Sequence, residues 1–290
     1  MNTLKTMLLM IALVFLAMGV GRLVGGPSGM LLGFVLAVVM NFGTYWFSDR
    51  VVLAMNRARE VSAREEPDLH RSVQKLALAA GLPMPKVYVV EDESPNAFAT
   101  GRGPRHAAVA ATRGILELLS APELEAVMAH ELAHVKHRDM LIGTIAATMA
   151  GAIMIVGDMA RWAALFGGFG GRDDDRQGSN PLAMIALIVL APLAAMLVQM
   201  AISRSREYAA DEGAAALTND PAALQRALRK IHAAAEQVPL AAATPAMAHL
   251  YIANPFGRGG LMGLFMTHPS LARRLARLDK IQEGRIRPSF

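Results

Sequence analysis

Four long apolar stretches without Asp, Glu, Lys or Arg limit the possible folds of this chain more than any other feature. They run between Lys5 and Arg22, Arg22 and Asp49, Asp139 and Asp158, and Arg176 and Arg204. A helix needs about 20 apolar residues to cross a hydrocarbon core of roughly 30 Å. The second and fourth stretches reach that length. The first is slightly short, but Lys5 and Arg22 can extend to the interfaces. The third spans only if Asp158 and Arg161 sit at the far interface. The chain is 53% hydrophobic and 18% charged, against about 25% charged in ordinary globular chains. Intrinsic disorder needs the opposite balance and is excluded.

The first stretch has a rival reading as a secretory signal, with cleavage after Ala17-Met18-Gly19. A second apolar run follows at once through the turn signal Gly25-Gly26-Pro27-Ser28, which favours a retained helical hairpin. The expected organisation is a hairpin over residues 4–48, with spans at about 5–23 and 29–48. The first part of a polar domain follows over 49–139. A second hairpin covers 140–203, with spans at about 140–160 and 181–203, and the rest of the polar domain is 204–290. Lys and Arg cluster after the second span (Arg50, Arg57, Arg59, Arg64), before the third (Lys136, Arg138) and after the fourth (Arg204, Arg206). The positive-inside bias therefore puts 49–139 and 204–290 on the cytoplasmic side. The acidic triplet Asp173 to Asp175 reads as a solvated loop tip or a weak cation site.

Within the polar pieces, Pro67 opens and Gly81 closes a helix over 67–80. Lys86 to Val90 and Ala107 to Ala111 read as strands, with a short extended segment, Asn96 to Gly101, between them. Ser120-Ala121-Pro122-Glu123 has capping-box spacing and starts a helix with Leu124, Met128, Leu132 and Val135 on one stripe. Asp220-Pro221 starts another, and 270–282 form a basic terminal helix. The fold class is mainly α with a small β-sheet, in an integral membrane protein with four transmembrane helices.

The capped helix carries His130-Glu131-Leu132-Ala133-His134. Histidines at i and i+4 share one helix face, so both imidazoles can reach one ion. Glu131 is rotated about 100° from His130, beside the ion and free to take a proton from a water. With no Cys in the chain, a third ligand must be His, Asp, Glu or a backbone oxygen. His137 is roughly 10.5 Å along the helix from His130, too far to share a tetrahedral ion with it. Glu207 and Asp211, an i, i+4 pair after the fourth stretch, are the better candidates. Their alternative is an interfacial helix whose acids balance Arg204 and Arg206.

These motifs, with Asn96–Gly101 and Thr267-His268-Pro269-Ser270, resemble the HtpX-type membrane-bound zinc endopeptidases of bacteria, relatives of the CAAX prenyl proteases. The resemblance covers nearly the whole chain. It implies a gluzincin-type cytoplasmic protease domain and one zinc per chain, on His130, His134 and Glu207. It implies Glu131 as the catalytic base, with Asp211, Asp139 and Arg274 supporting the ligands. His268 would face the substrate or oxyanion, the alternative for His268 and Arg274 being a capping turn and a surface cation. Asn96, Ala97, Phe98, Ala99 and Thr100 match the edge strand on which a substrate peptide pairs. The resemblance also implies location in the bacterial inner membrane as a multi-pass protein. Its substrates would be unfolded polypeptide and damaged membrane proteins, in stress-linked quality control.

Three other readings make different demands on the sequence. A channel or transporter predicts ionisable residues within the spans, and their central parts have none. A structural metal site predicts a fourth protein ligand. No nucleic-acid motif accompanies the net charge of +5, and no phosphate-binding loop for ATP is visible. Spacing carries one further expectation. If the helices bearing His134 and Glu207 run straight out of the bilayer, the metal lies within about 10 Å of its cytoplasmic face.

Overall fold

The computed structural model describes residues 2–143, 145, 206–235, 252, 269–288 and 290. The 181–203 stretch, nearly all of 140–160 beyond its first turn, and His268 lie outside the described residues.

The N-terminal apolar residues form α1 (Asn2–Met55). A straight helix of that length would hold Met10 and Asn41 about 46 Å apart. Instead Asn41 Nδ2 donates to the Met10 carbonyl at 3.1 Å. The chain reverses at Gly26, which takes φ +60°, and its two legs pack antiparallel. The legs touch through small residues. A Cβ on Gly21 would lie 2.1 Å from the Gly29 carbonyl oxygen, and one on Gly33 would lie 2.3 Å from that of Ala17. Leu8, Ile11, Phe15, Leu31, Leu32, Val39 and Phe42 stay exposed on the outer faces. A continuous apolar surface of this kind marks a contact with lipid or protein. Gly26–Met55 is long and apolar enough to cross a membrane, and Thr6–Arg22 is a shorter apolar helix.

A four-stranded mixed sheet follows, made of β1 (Arg59–Glu60), β2 (Lys86–Val90), β3 (Ala97–Gly101) and β4 (Ala107–Thr112). Its order is β1-β2-β4-β3, with β2 and β4 parallel and the other two pairings antiparallel. The chain thus runs out along β2, back along β3, and returns between them as β4. This leaves β3 at an edge. One face of the sheet packs Val90, Phe98, Ala108 and Ala110 on Val52 and Leu53, in the last turn of α1. The other face offers Val87, Val89, Ala97, Ala99 and Val109 to the main core.

That core is closed by α2 (Pro67–Ala80), the short α3 (Arg113–Leu118) and α4 (Ala121–His137). Residues 139–143 (α5) and 206–218 (α6) are helical, followed by α7 (Pro221–Ala235) and α8 (Leu271–Gln282). Leu124, Met128, Leu132 and Val135 are buried, as their stripe requires, and so are Leu224, Leu228 and Ile231 of α7. The capping box is formed: the Ser120 N–H donates to Glu123 Oε2 at 2.9 Å. The same carboxylate takes Lys230 Nζ at 2.7 Å, so the cap also ties α4 to α7.

One junction departs from the sequence reading. Arg138 takes φ +58° and ends α4. The helix bearing His134 therefore does not continue straight toward the apolar stretch, although no Gly or Pro marks the break.

Candidate active site

α4 is buried on nearly all sides, which fixes the histidine rings. His130 and His134 stand one turn apart with ring planes at 90°, and their Nε2 atoms are 3.2 Å from each other. From α6, Glu207 brings Oε2 to 3.6 Å from His130 Nε2 and Oε1 to 3.5 Å from His134 Nε2. The three ligand atoms lie within 4.8 Å of one another. A tetrahedral ion with donors at about 2.05 Å holds neighbouring donors about 3.3 Å apart. The Nε2–Nε2 separation fits that edge length, and each Glu207 oxygen lies near it from one histidine. The donor set of two imidazoles and a carboxylate suits a borderline divalent metal and leaves a fourth position open.

Each histidine is braced from behind. Asp139 Oδ2 is 3.2 Å from His134 Nδ1, and Asp211 Oδ1 is 3.0 Å from His130 Nδ1. The second contact is as close but is not aligned as a hydrogen bond in this geometry. A carboxylate behind a ligating histidine fixes its ring orientation and raises its basicity. The break at Arg138 is what lets Asp139 turn back to His134.

Arg274 of α8 is 1% exposed, so the surface-cation alternative fails. It grips Asp211 and sets Nη1 3.7 Å from Glu207 Oε2. Burial works against its charge, but Asp211 and Glu207 more than offset this and hold it protonated.

Sequence reasoning missed Arg206. In the sequence it is one of two basic residues at the end of the fourth stretch, yet it is partly buried, and Nη1 donates to the Asp139 carbonyl at 2.8 Å. It thereby ties the α6 end beside Glu207 to the α4–α5 junction. The only signal available was its place between the apolar stretch and Glu207.

The electrostatics favour a cation. Burial alone would lower the His134 pKa, but Asp139 and Glu207 outweigh it and push it up to about 10. Desolvation likewise opposes a charge on His130, and Asp211 with Glu207 overcomes it. This excess of buried negative charge is what a divalent ion neutralises.

Glu131 is 5% exposed, and its burial pushes its carboxyl above the usual range. The two histidines and a hydrogen bond from the Ala99 N–H pull the other way. The ladder sets the orientation of β3. The Thr112 N–H donates to the Asn96 carbonyl, so in this antiparallel ladder Asn96, Phe98 and Thr100 bond inward to β4. Ala97, Ala99 and Gly101 turn their main-chain groups outward, toward α4. Asn96 is locked by Thr112, whose Oγ1 accepts from the Asn96 N–H at 2.9 Å, and its Oδ1 accepts from the Ile252 N–H at 3.1 Å.

A family model described as peptidase family M48 matches residues 63–282. The chain belongs to peptidase family M48. It is 57% identical over 281 residues to a protein named "Protease HtpX homolog" from Syntrophotalea carbinolica, covering 97% of this chain and 99% of that one. Proteins of the same name from Ralstonia pickettii and Pyrococcus furiosus are 54% and 52% identical, covering 97% and 95% of those chains and 97% and 96% of this one. The fold is like a crystal structure of Ste24p from S. mikatae, with TM-score 0.55 at 20% identity over 92% of this chain. The chain spans 62% of the length of that Ste24p, so this likeness concerns the fold alone. The M48 member described here is a membrane-associated metallopeptidase. Its His130, His134 and Glu207 form a group that could bind a metal ion.

Proposed function

We propose that this M48 peptidase is a zinc endopeptidase that cuts unfolded or damaged membrane proteins close to the lipid. The convergence of His130, His134 and Glu207, with the buried Glu131 beside them, carries this reading. One zinc per chain on those three residues would supply a Lewis acid and lower the pKa of its water toward about 7. Glu131 takes the water proton and delivers it to the leaving amine. Its raised affinity for a proton suits that exchange. Asp139 and Asp211 orient the two imidazoles, and Arg274 keeps Asp211 and Glu207 ionised and in place.

The substrate peptide adds as a further strand beyond Ala97, Phe98 and Ala99. Main-chain bonds then hold it with little regard to sequence. The outward main-chain groups of Ala97, Ala99 and Gly101 support this. The Ala99 N–H now meets Glu131, so substrate binding would release that bond and free the carboxylate. Membrane proximity is supported by the sheet, whose Phe98 face rests on Val52 and Leu53 just beyond the apolar leg of α1. With α4 ending at Arg138, the His134 helix itself does not run straight into the bilayer. The proposed arrangement is four spans in an inner membrane with the peptidase domain in the cytoplasm, and neither ATP nor nucleic acid as a partner.

The deciding experiment compares the purified chain with Glu131→Gln. Zinc content and cleavage of an unfolded substrate are both measured. Retained zinc with cleavage reduced at least 100-fold is expected, and undiminished cleavage would overturn the assignment. Placing the cleavable sequence farther from the membrane on a rigid spacer should slow its cleavage, whereas equal rates at every distance would remove the claim of membrane proximity.

A further inference from the structure

The end of the β3 edge strand is seated on the aromatic end of α1. Arg102, the first residue after β3, places its guanidinium 4.4 Å from the Trp46 ring centre. Trp46 in turn stacks edge-on against Tyr45 at 5.6 Å and tilted against Phe42 at 5.9 Å. Arg50 lies 5.9 Å from the Phe47 ring centre. These aromatics occupy the turns of the apolar leg just before Asp49 and Arg50. Aromatic and basic residues gather where a spanning helix leaves the hydrocarbon.

The turn joining β3 to β4 is Arg102-Gly103-Pro104-Arg105-His106, without a carboxylate. Arg105 is exposed and Arg102 half-exposed. Among the described residues, none of Arg50, Arg102 and Arg105 has an ion-pair partner. Other arginines of the same domain do: Arg59 pairs with Glu65, Arg113 with Glu91, and Arg277 with Glu212. Arg50 and Arg102 thus stand beside the aromatic girdle without an ion-pair partner, and Arg105 follows three residues on in the same turn.

We propose that Arg50, Arg102 and Arg105 form a binding site for anionic phospholipid headgroups, which seats the end of β3 on the membrane surface. A guanidinium offers paired donors to the two free oxygens of a phosphodiester. Trp46, 43% exposed, shares its ring with Arg102 and remains open to the lipid. The site has a consequence for the edge strand. Arg102 is three residues beyond Ala99, or about 10 Å along a strand. A peptide emerging from the bilayer beside a lipid held there would reach the proposed pairing edge within a few residues. This rests on the proposed reading that α1 spans a membrane.

The test uses the full chain with Trp162→Phe, which leaves Trp46 as the only tryptophan. It is reconstituted in phosphatidylcholine bilayers containing brominated phosphatidylglycerol or, separately, brominated phosphatidylcholine at equal mole fraction. Stronger quenching of Trp46 by the brominated phosphatidylglycerol is expected, weakening as salt rises. Adding Arg102→Gln and Arg105→Gln should reduce that preference about tenfold. Adding Arg102→Lys and Arg105→Lys should retain most of it and shows that the fold tolerates change there. Equal quenching by the two lipids, or a preference that survives both glutamines, would overturn the headgroup site. Quenching by neither lipid would place Trp46 outside the bilayer, and the membrane reading itself would fall.

Discussion

Arg274 meets both carboxylate oxygens of Asp211, with Nε 2.9 Å from Oδ2 and Nη2 2.6 Å from Oδ1. Both side chains are buried, at 1% and 0% exposure. Removing one partner leaves a buried charge poorly compensated, since without Asp211 the guanidinium keeps only Glu207, at 3.7 Å. Asp211→Ala should therefore lower stability by about 3–5 kcal/mol, read from denaturant unfolding. Replacing the pair together, as Asp211→Leu with Arg274→Met, should recover part of that loss. A single variant that unfolds like the parent would mean that the buried pair does not hold α6 to α8.

Metal affinity should depend on the residue behind His134. Asp139→Asn removes the charge 3.2 Å from Nδ1. Zinc affinity, measured by competition with a chromogenic chelator, should fall 10- to 100-fold. Glu131→Gln, which touches no proposed ligand nitrogen, should leave it within a few-fold.

The pH dependence has a definite sign. In the metal-free protein the His134 pKa is pushed up to about 10, from an ordinary value of 6.5. A raised pKa contributes stability that is fully present below about pH 6.5 and is lost as pH rises toward 10. Chelator-treated protein should therefore unfold at progressively lower temperature between pH 7 and 10. In zinc-loaded protein the ion takes the place of the proton, and this trend should flatten. Identical slopes in the two forms would contradict the assignment of His134 as a ligand.

Two glycines with positive φ should respond very differently to alanine. Gly26 (φ +60°) has nothing within 4 Å of a built Cβ, so Gly26→Ala should cost only about 1 kcal/mol. At Gly101 (φ +129°) the Cβ would lie 2.1 Å from the His106 carbonyl oxygen. Gly101→Ala must open the β3–β4 turn and should cost more than about 3 kcal/mol. Unfolding midpoints of the two variants compare them directly.

Legibility in the sequence followed locality. The α2 and α7 helices could be read because Pro, Gly and a 3.6-residue stripe mark them within a dozen positions. His130 and His134 could be read because one helical turn places them together whatever surrounds it. The order β1-β2-β4-β3 could not, since nothing in Lys86–Val90 or Ala107–Thr112 states which strand lies between the others. β1 is only Arg59–Glu60, two charged residues with no periodicity to detect. The break at Arg138 was invisible because arginine seldom adopts a left-handed conformation. Here the neighbours set it: its N–H caps the Val135 carbonyl, while the next residue reaches back to His134. The capping-box spacing accounts for Glu123 and the span end for Arg206, but neither shows the distant contact each makes. Glu123 is buried and Arg206 partly so because a distant segment, α7 in one case and the α4–α5 junction in the other, supplies the partner.

The three proposed ligands come from two parts of the chain separated by roughly 70 residues, His134 on α4 and Glu207 on α6. An ion held by all three closes that loop as a crosslink would, and the entropy it removes from the unfolded chain grows with the loop's length. Binding to the folded form alone also draws the folding equilibrium toward it by mass action. Metal scarcity would then act on the chain's lifetime as well as its chemistry. Chains without metal would open more often at the α4–α6 junction and expose that segment to other proteases. The cell's metal supply would thus set how many copies persist, in addition to how many are active.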